Sequence, residues 1–204
     1  MDLVKTFSTA LLLLLLGGSF QAAAQDQSAA FAASYAAEAK ADYPGAITAL
    51  RTGYSGTYEQ NLRLGWLYFL AKNYTTASSY YQKAVEQRPY ALEPKFGLIK
   101  PLNALNQVAQ MQSAYLSILK IDPQNTQANY WVGVILLNQK AYDKAARYFE
   151  RVVNLYPFDY DANLSLAWCY LNMGRKTDAR VLYTKALLIR PNDPTATAGL
   201  KRTQ

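Results

Sequence analysis

The stretch YEQNLRLGWLYFLAKNYTTASSYYQKAVEQRPYA, residues 58–91, is the first of four written on one plan. Its proline, Pro89, recurs as Pro123, Pro157 and Pro191, each 34 residues after the last. Eight residues before each proline stands an aromatic: Tyr81, Tyr115, Phe149 and Tyr183. Four residues before those come Ala77, Met111, Ala145 and Ala179, and twelve further back Gly65, Ile99, Gly133 and Ala167. A fixed period of this length marks stacked supersecondary units. The six apolar residues from Trp66 to Ala71, closed by Lys72, belong to this pattern. They are far too few for the roughly 20 that a spanning helix needs.

The pattern resembles the tetratricopeptide repeat, two antiparallel helices per 34 residues. Leu64, Gly65 and Tyr68 match that family's L-G-x-x-Y segment, and Ala77, Tyr81, Ala84 and Pro89 match the remainder. Full repeats are expected at 58–91, 92–125, 126–159 and 160–193. At repeat position four, the family's tryptophan is replaced by Asn61, Lys95, Asn129 and Asn163. Residues 25–57 read as a degenerate helix pair and linker, with Ala46 and Leu50 in the packing columns, and residues 194–204 as a capping helix. The resemblance implies an all-α fold, a right-handed superhelical solenoid of antiparallel helix pairs. One pair cannot bury its apolar face alone, so stacking builds the core. The second repeat departs most, with Ile99 in the glycine column and Pro101 inside its first helix. A kink is expected near Gly97–Pro101, since proline cannot donate to the carbonyl four residues back.

Residues 1–24 read as a signal peptide: Lys5, the apolar run Ala10–Leu16, then Ala22 and Ala24 placing cleavage before Gln25. No cysteine follows the run, which argues against a lipoprotein anchor. The expectation is an exported chain, periplasmic in a bacterium and otherwise secreted, with no transmembrane span after cleavage. Histidine is absent and Cys169 is the one cysteine, so histidine-based triads and cysteine-based zinc sites are excluded. "DYDAN" at Asp159–Asn163 opens like a calcium loop but has Leu164 where glycine is required and Tyr170 where glutamate is. No enzyme, cofactor or metal is expected. Triplets at Asn73 and Asn163 fit the glycosylation pattern and carry little weight.

The net charge is +7, and from Gly174 onward seven basic residues face only Asp178 and Asp193. That end reads first as a solvated helix face and second as a surface for an anionic partner. Nucleic acid is not expected, because the basic residues are not interleaved with the aromatics. Glu59, Glu93 and Asp161, with Gln127, share repeat position two. They could edge a groove, or simply suit the first turn of a helix, where the macrodipole favours acids.

The resemblance further implies a concave groove that holds extended peptides, lined by first-helix positions two, five, nine and twelve. The spacing makes those positions one helical stripe. The residues expected to meet a protein or peptide partner are Trp66, Phe69, Lys100, Tyr130, Val134 and Trp168. Trp66 and Trp168 hold equivalent positions three repeats apart. The competing reading buries Trp66 under the N-terminal pair and Trp168 under the C-terminal cap. The family's clamp for carboxyl-terminal peptides is absent, since Leu62 and Trp66 stand where Lys and Asn are needed. A mainly apolar segment, helped by Lys100, is the expected ligand. The alternative function is a scaffold or assembly factor that docks through its helix faces and basic end, with a homo-oligomer as one outcome.

Overall fold

The computed structural model describes residues 26–204, and every regular element among them is helical. The segment read as a signal peptide lies outside the described residues. Helix α1 covers 26–38, followed by α2 (Tyr43–Arg51), α3 (Tyr58–Leu70), α4 (Tyr74–Gln87) and α5 (Glu93–Ala104). Then come α6 (Val108–Leu119), α7 (Thr126–Asn138), α8 (Tyr142–Leu155), α9 (Tyr160–Asn172), α10 (Lys176–Ile189) and α11 (Pro194–Lys201). Among the described residues no helix is long and apolar enough to cross a membrane. The array of helix pairs divides into two compact units, one ending at Pro89 and one beginning at Tyr90.

The turn inside each pair repeats as faithfully as the side chains do. Lys72, Asn106, Lys140 and Gly174 stand 34 residues apart and have φ of 60°, 55°, 59° and 78°. A residue in the left-handed region is a common way to end a helix, and only glycine adopts it without steric cost. Ala41, at φ 57°, makes the same turn between α1 and α2. Beyond the turn the helices must approach, and the glycine column permits it. A Cβ on Gly65 would lie 2.8 Å from Tyr81, and one on Gly133 would lie 2.7 Å from Phe149.

The asparagines at repeat position four are buried and tie down the loop before their helix. Asn129 Nδ2 donates to the carbonyls of Pro123 (3.0 Å) and Asn125 (2.9 Å). Asn163 Nδ2 does the same to Pro157 (3.1 Å) and Asp159 (2.6 Å). Asn61 Nδ2 donates to Gly56 (3.1 Å) and to Gln87 (2.9 Å), and its oxygen accepts from the Tyr54 hydroxyl (2.6 Å). A buried amide must find such partners, and here most are carbonyls of the loop that precedes its helix. Lys95 breaks the row: it is buried, and burial pushes its amine below its ordinary pKa.

In the first unit α2 packs on α3 and α3 on α4, around Ala46, Leu50, Leu64 and Leu67. Phe31 and Ala37 of α1 close over the same cluster. The second unit carries a longer continuous core, from Ile99 and Leu102 of α5 through Val132, Phe149 and Leu166 to Tyr183 and Ala196. Each helix from α5 to α11 packs on the next, and α9 also meets α7 and α11. Pro101 is buried inside α5, which stays helical to Ala104.

Candidate partner-binding surface

The six stripe residues fall in both units. In the first, the α3 indole of Trp66 is half-buried, and its Nε1 donates to Glu38 of α1 at 2.7 Å. Its ring lies 5.9 Å from Phe69, which in turn lies 5.8 Å from Tyr74. Glu38 also ion-pairs with Arg63, whose guanidinium stacks on Tyr35 at 3.8 Å. The N-terminal helix thus takes up the polar edge of Trp66.

In the second unit the stripe is more open. Lys100 of α5 is exposed, while Tyr130 and Val134 lie one turn apart on α7, half-buried. Tyr130 packs edge-on to Phe149 (5.7 Å) and to Trp131 (5.6 Å). Its hydroxyl reaches Ser165 of α9; burial, then the charge of Asp161, holds its pKa above the ordinary value. Trp168 of α9 remains 38% exposed, with the Arg202 guanidinium 4.8 Å from its ring. The C-terminal cap therefore lends Trp168 a cation without enclosing it.

Two large side chains outside the expected columns join this surface. Trp131 is 41% exposed and Tyr156 is 58% exposed. With Tyr130, Asp159 and Asp161 they line an open cleft of about 290 Å³ at the start of α7, the end of α8 and the start of α9. The readable signal was the adjacent pair Tyr130-Trp131, which puts one ring on the stripe and the next about 100° around the helix.

The remaining candidates have internal employment. Glu59 bonds Arg88 at 3.0 Å. At the basic end, Arg175 bonds Asp178 (2.7 Å) and stacks on Tyr170 (3.8 Å). Arg180 donates to the Thr203 carbonyl at 2.6 Å, and Lys176 to that of Gln204 at 3.2 Å. Asn163, buried and bonded to two carbonyls, has no surface to offer a glycan.

Tetratricopeptide-repeat family models match residues 61–90, 103–160 and 136–202. The chain belongs to the tetratricopeptide repeat family. Among solved structures this repeat protein resembles MamA, with a TM-score of 0.70 at 20% identity over 81% of this chain and 92% of that one. YrrB, described as a TPR protein with an unusual peptide-binding site, gives a TM-score of 0.68 at 19% identity over 82% and 88%. A tetratricopeptide repeat protein from Parabacteroides merdae gives 0.73 at 16% identity over 88% and 72%. At these identities the likeness is one of fold. A curated relative, protein O-mannosyl-transferase TMTC3 from Mus musculus, is 30% identical over 77 residues. That match spans 38% of this chain and 8% of the mouse protein. The repeat family is in general a non-enzymatic, protein-interaction fold, and membership of it supports a protein–protein interaction module.

Proposed function

We propose that the protein is an exported, non-enzymatic adaptor that holds a segment of a partner protein along the first-helix stripe of its second unit. The observation that carries this reading is Trp168: a large indole on the stripe that packing leaves 38% exposed. Lys100, Tyr130 and Val134 continue the surface on α5 and α7. Exposed aromatic surface of this kind is what partners use as anchors. Trp66 has a different part, since its indole N–H is already bonded to Glu38. Export rests on the N-terminal sequence, and a mature chain beginning at Gln25 is its expected trace in the host.

The test is quantitative capture from envelope extract with Lys100→Ala, Val134→Ala and Trp168→Ala, each checked for native circular dichroism. Loss of the same bound protein in Trp168→Ala and Val134→Ala supports the stripe. Undiminished capture by all three folded variants rejects it.

A further inference from the structure

Two of the four repeats contain an arginine that folds back from the end of the second helix onto the ring that opens the first. Arg88 lies 4.2 Å from the Tyr58 ring centroid, and its Nη2 donates to Glu59 at 3.0 Å. Arg190 lies 3.8 Å from the Tyr160 ring. Beside that pair the Asp193 carboxyl is held below its usual range, first by the Ala196 N–H and then by the Tyr160 hydroxyl, with Arg190 adding to the effect. Arg88 and Arg190 occupy the same repeat position, and so do Tyr58 and Tyr160. Each arrangement is a receptor for a guanidinium: a ring face to stack on and a carboxylate to neutralise it.

Repeat 126–159 has lost both the arginine and the ring that receives it, and keeps the carboxylate, with Asp159 at the position of Asp193. The equivalent positions are Thr126 and Tyr156, and both line the open cleft of about 290 Å³. Its walls also carry the rings of Tyr130 and Trp131 and the carboxylates of Asp159 and Asp161, and among the described residues no basic side chain lines it. Asp159 caps α9 through the Ala162 N–H at 2.8 Å, while Asp161 acts on the buried Tyr130 hydroxyl. In repeat 92–125 the corresponding pair is Leu92 and Asp122, which offers no ring and makes no such receptor.

We infer that this cleft receives an arginine side chain of the partner segment, seated on its own rings and carboxylates and not on the first-position tyrosine that Arg88 and Arg190 use within their repeats. The inference rests on the partner-binding reading above and adds to it a second anchor point of defined chemistry. An apolar stretch would run along Val134 and Trp168, and a guanidinium would seat among Trp131, Tyr156 and Asp161.

The probe is a capped Gly-Ser-Arg-Ser-Gly peptide, compared with the same peptide carrying citrulline, which keeps the shape and removes the charge. The three tryptophan indole N–H signals report the site by NMR. The arginine peptide is expected to shift the Trp131 indole saturably. The citrulline peptide should bind at least about fivefold more weakly, in keeping with a cation over an aromatic face. Asp161→Asn should weaken the arginine peptide similarly. The double variant Thr126→Tyr/Tyr156→Arg rebuilds the internal pair of the neighbouring repeats and should fill the cleft itself, abolishing the response with the fold retained. Equal shifts by both peptides, a response confined to Trp168, or undiminished binding by the folded double variant would overturn the inference. If that double variant does not fold, the citrulline comparison and Asp161→Asn still decide. Trp168→Ala separates the two readings: it should lose partner capture yet keep the Trp131 response to the arginine peptide.

Discussion

At the scale of single residues, Glu38 does the most with one side chain. It neutralises Arg63 and accepts the Trp66 indole N–H, joining α1 to α3 twice. Arg63 is buried and pairs with Glu38 through Nη1, while its Nε and Nη2 have no hydrogen-bond partner among the described residues. Replacing Glu38 with alanine leaves that guanidinium without a counter-charge, a loss of about 3 kcal/mol for a pair buried on one side. The urea midpoint should fall accordingly, and the Trp66 indole signal should move. Glu38→Gln, which keeps an acceptor and loses the charge, should fall between. A second residue-scale prediction runs the other way. Lys140 sits at φ 59° in a position where the last repeat has Gly174. Lys140→Gly should raise stability by about 1 kcal/mol, measured by thermal or urea unfolding, because the left-handed strain of a Cβ is removed. The fate of Trp66 was not legible in the repeat pattern. Its partner stands 28 residues upstream, in a helix outside the four regular repeats.

At the scale of elements, α11 works as a lid on the last pair. Gly199 approaches Tyr183 so closely that a Cβ there would meet the ring at 2.3 Å, and Ala196 is fully buried. Arg180 of α10 binds Thr203 just beyond the helix. Beneath lies Cys169, whose thiol burial pushes up to about 12, with the charge of Glu150 adding to the effect. The intact protein should therefore resist thiol reagents at neutral pH until it unfolds. Deleting residues 194–204 should speed that labelling and cost roughly 2–4 kcal/mol, given the apolar surface of Tyr183 that it bares. The helices and their ends were readable because proline, small-residue and ring columns are dictated by close packing and recur with it. The cleft was not. Trp131 shares its column with Arg63, Gly97 and Ser165, and Tyr156 shares its column with Arg88, Asp122 and Arg190. The first of these columns differs in every repeat and the second departs from its two arginines at Tyr156, so neither marked the cleft until geometry paired it with a neighbour.

At the scale of the whole molecule, buried tyrosines make stability sensitive to alkali. Burial pushes Tyr115, Tyr160, Tyr170 and Tyr183 up to about 12, with the Glu150 and Asp193 hydrogen bonds adding to it at Tyr170 and Tyr160. In the unfolded chain these phenols ionise near the ordinary value of about 10. Below that pH both states hold the proton and nothing is lost. Between about 10 and 12 the unfolded state releases protons that the native state retains, so stability falls as pH rises, by about 2 kcal/mol per ring. Phenolate absorbance and circular dichroism should therefore change together for these four rings.

The asparagines of the second unit have a consequence for how it comes apart. Asn129 of α7 holds the carbonyl of Pro123, and its oxygen takes a hydrogen bond from Arg151 of α8 at 3.2 Å. Asn163 of α9 holds the carbonyl of Pro157, which follows α8. Fraying α7 therefore frees the loop behind α6, and fraying α9 frees the loop behind α8. Amide protons in α7, α8 and α9 should then share one opening event and exchange with deuterated solvent at a common free energy. A graded series, helix by helix, is what an array without these clips would show. Asn129→Ala, by cutting one link, should turn the common value into two.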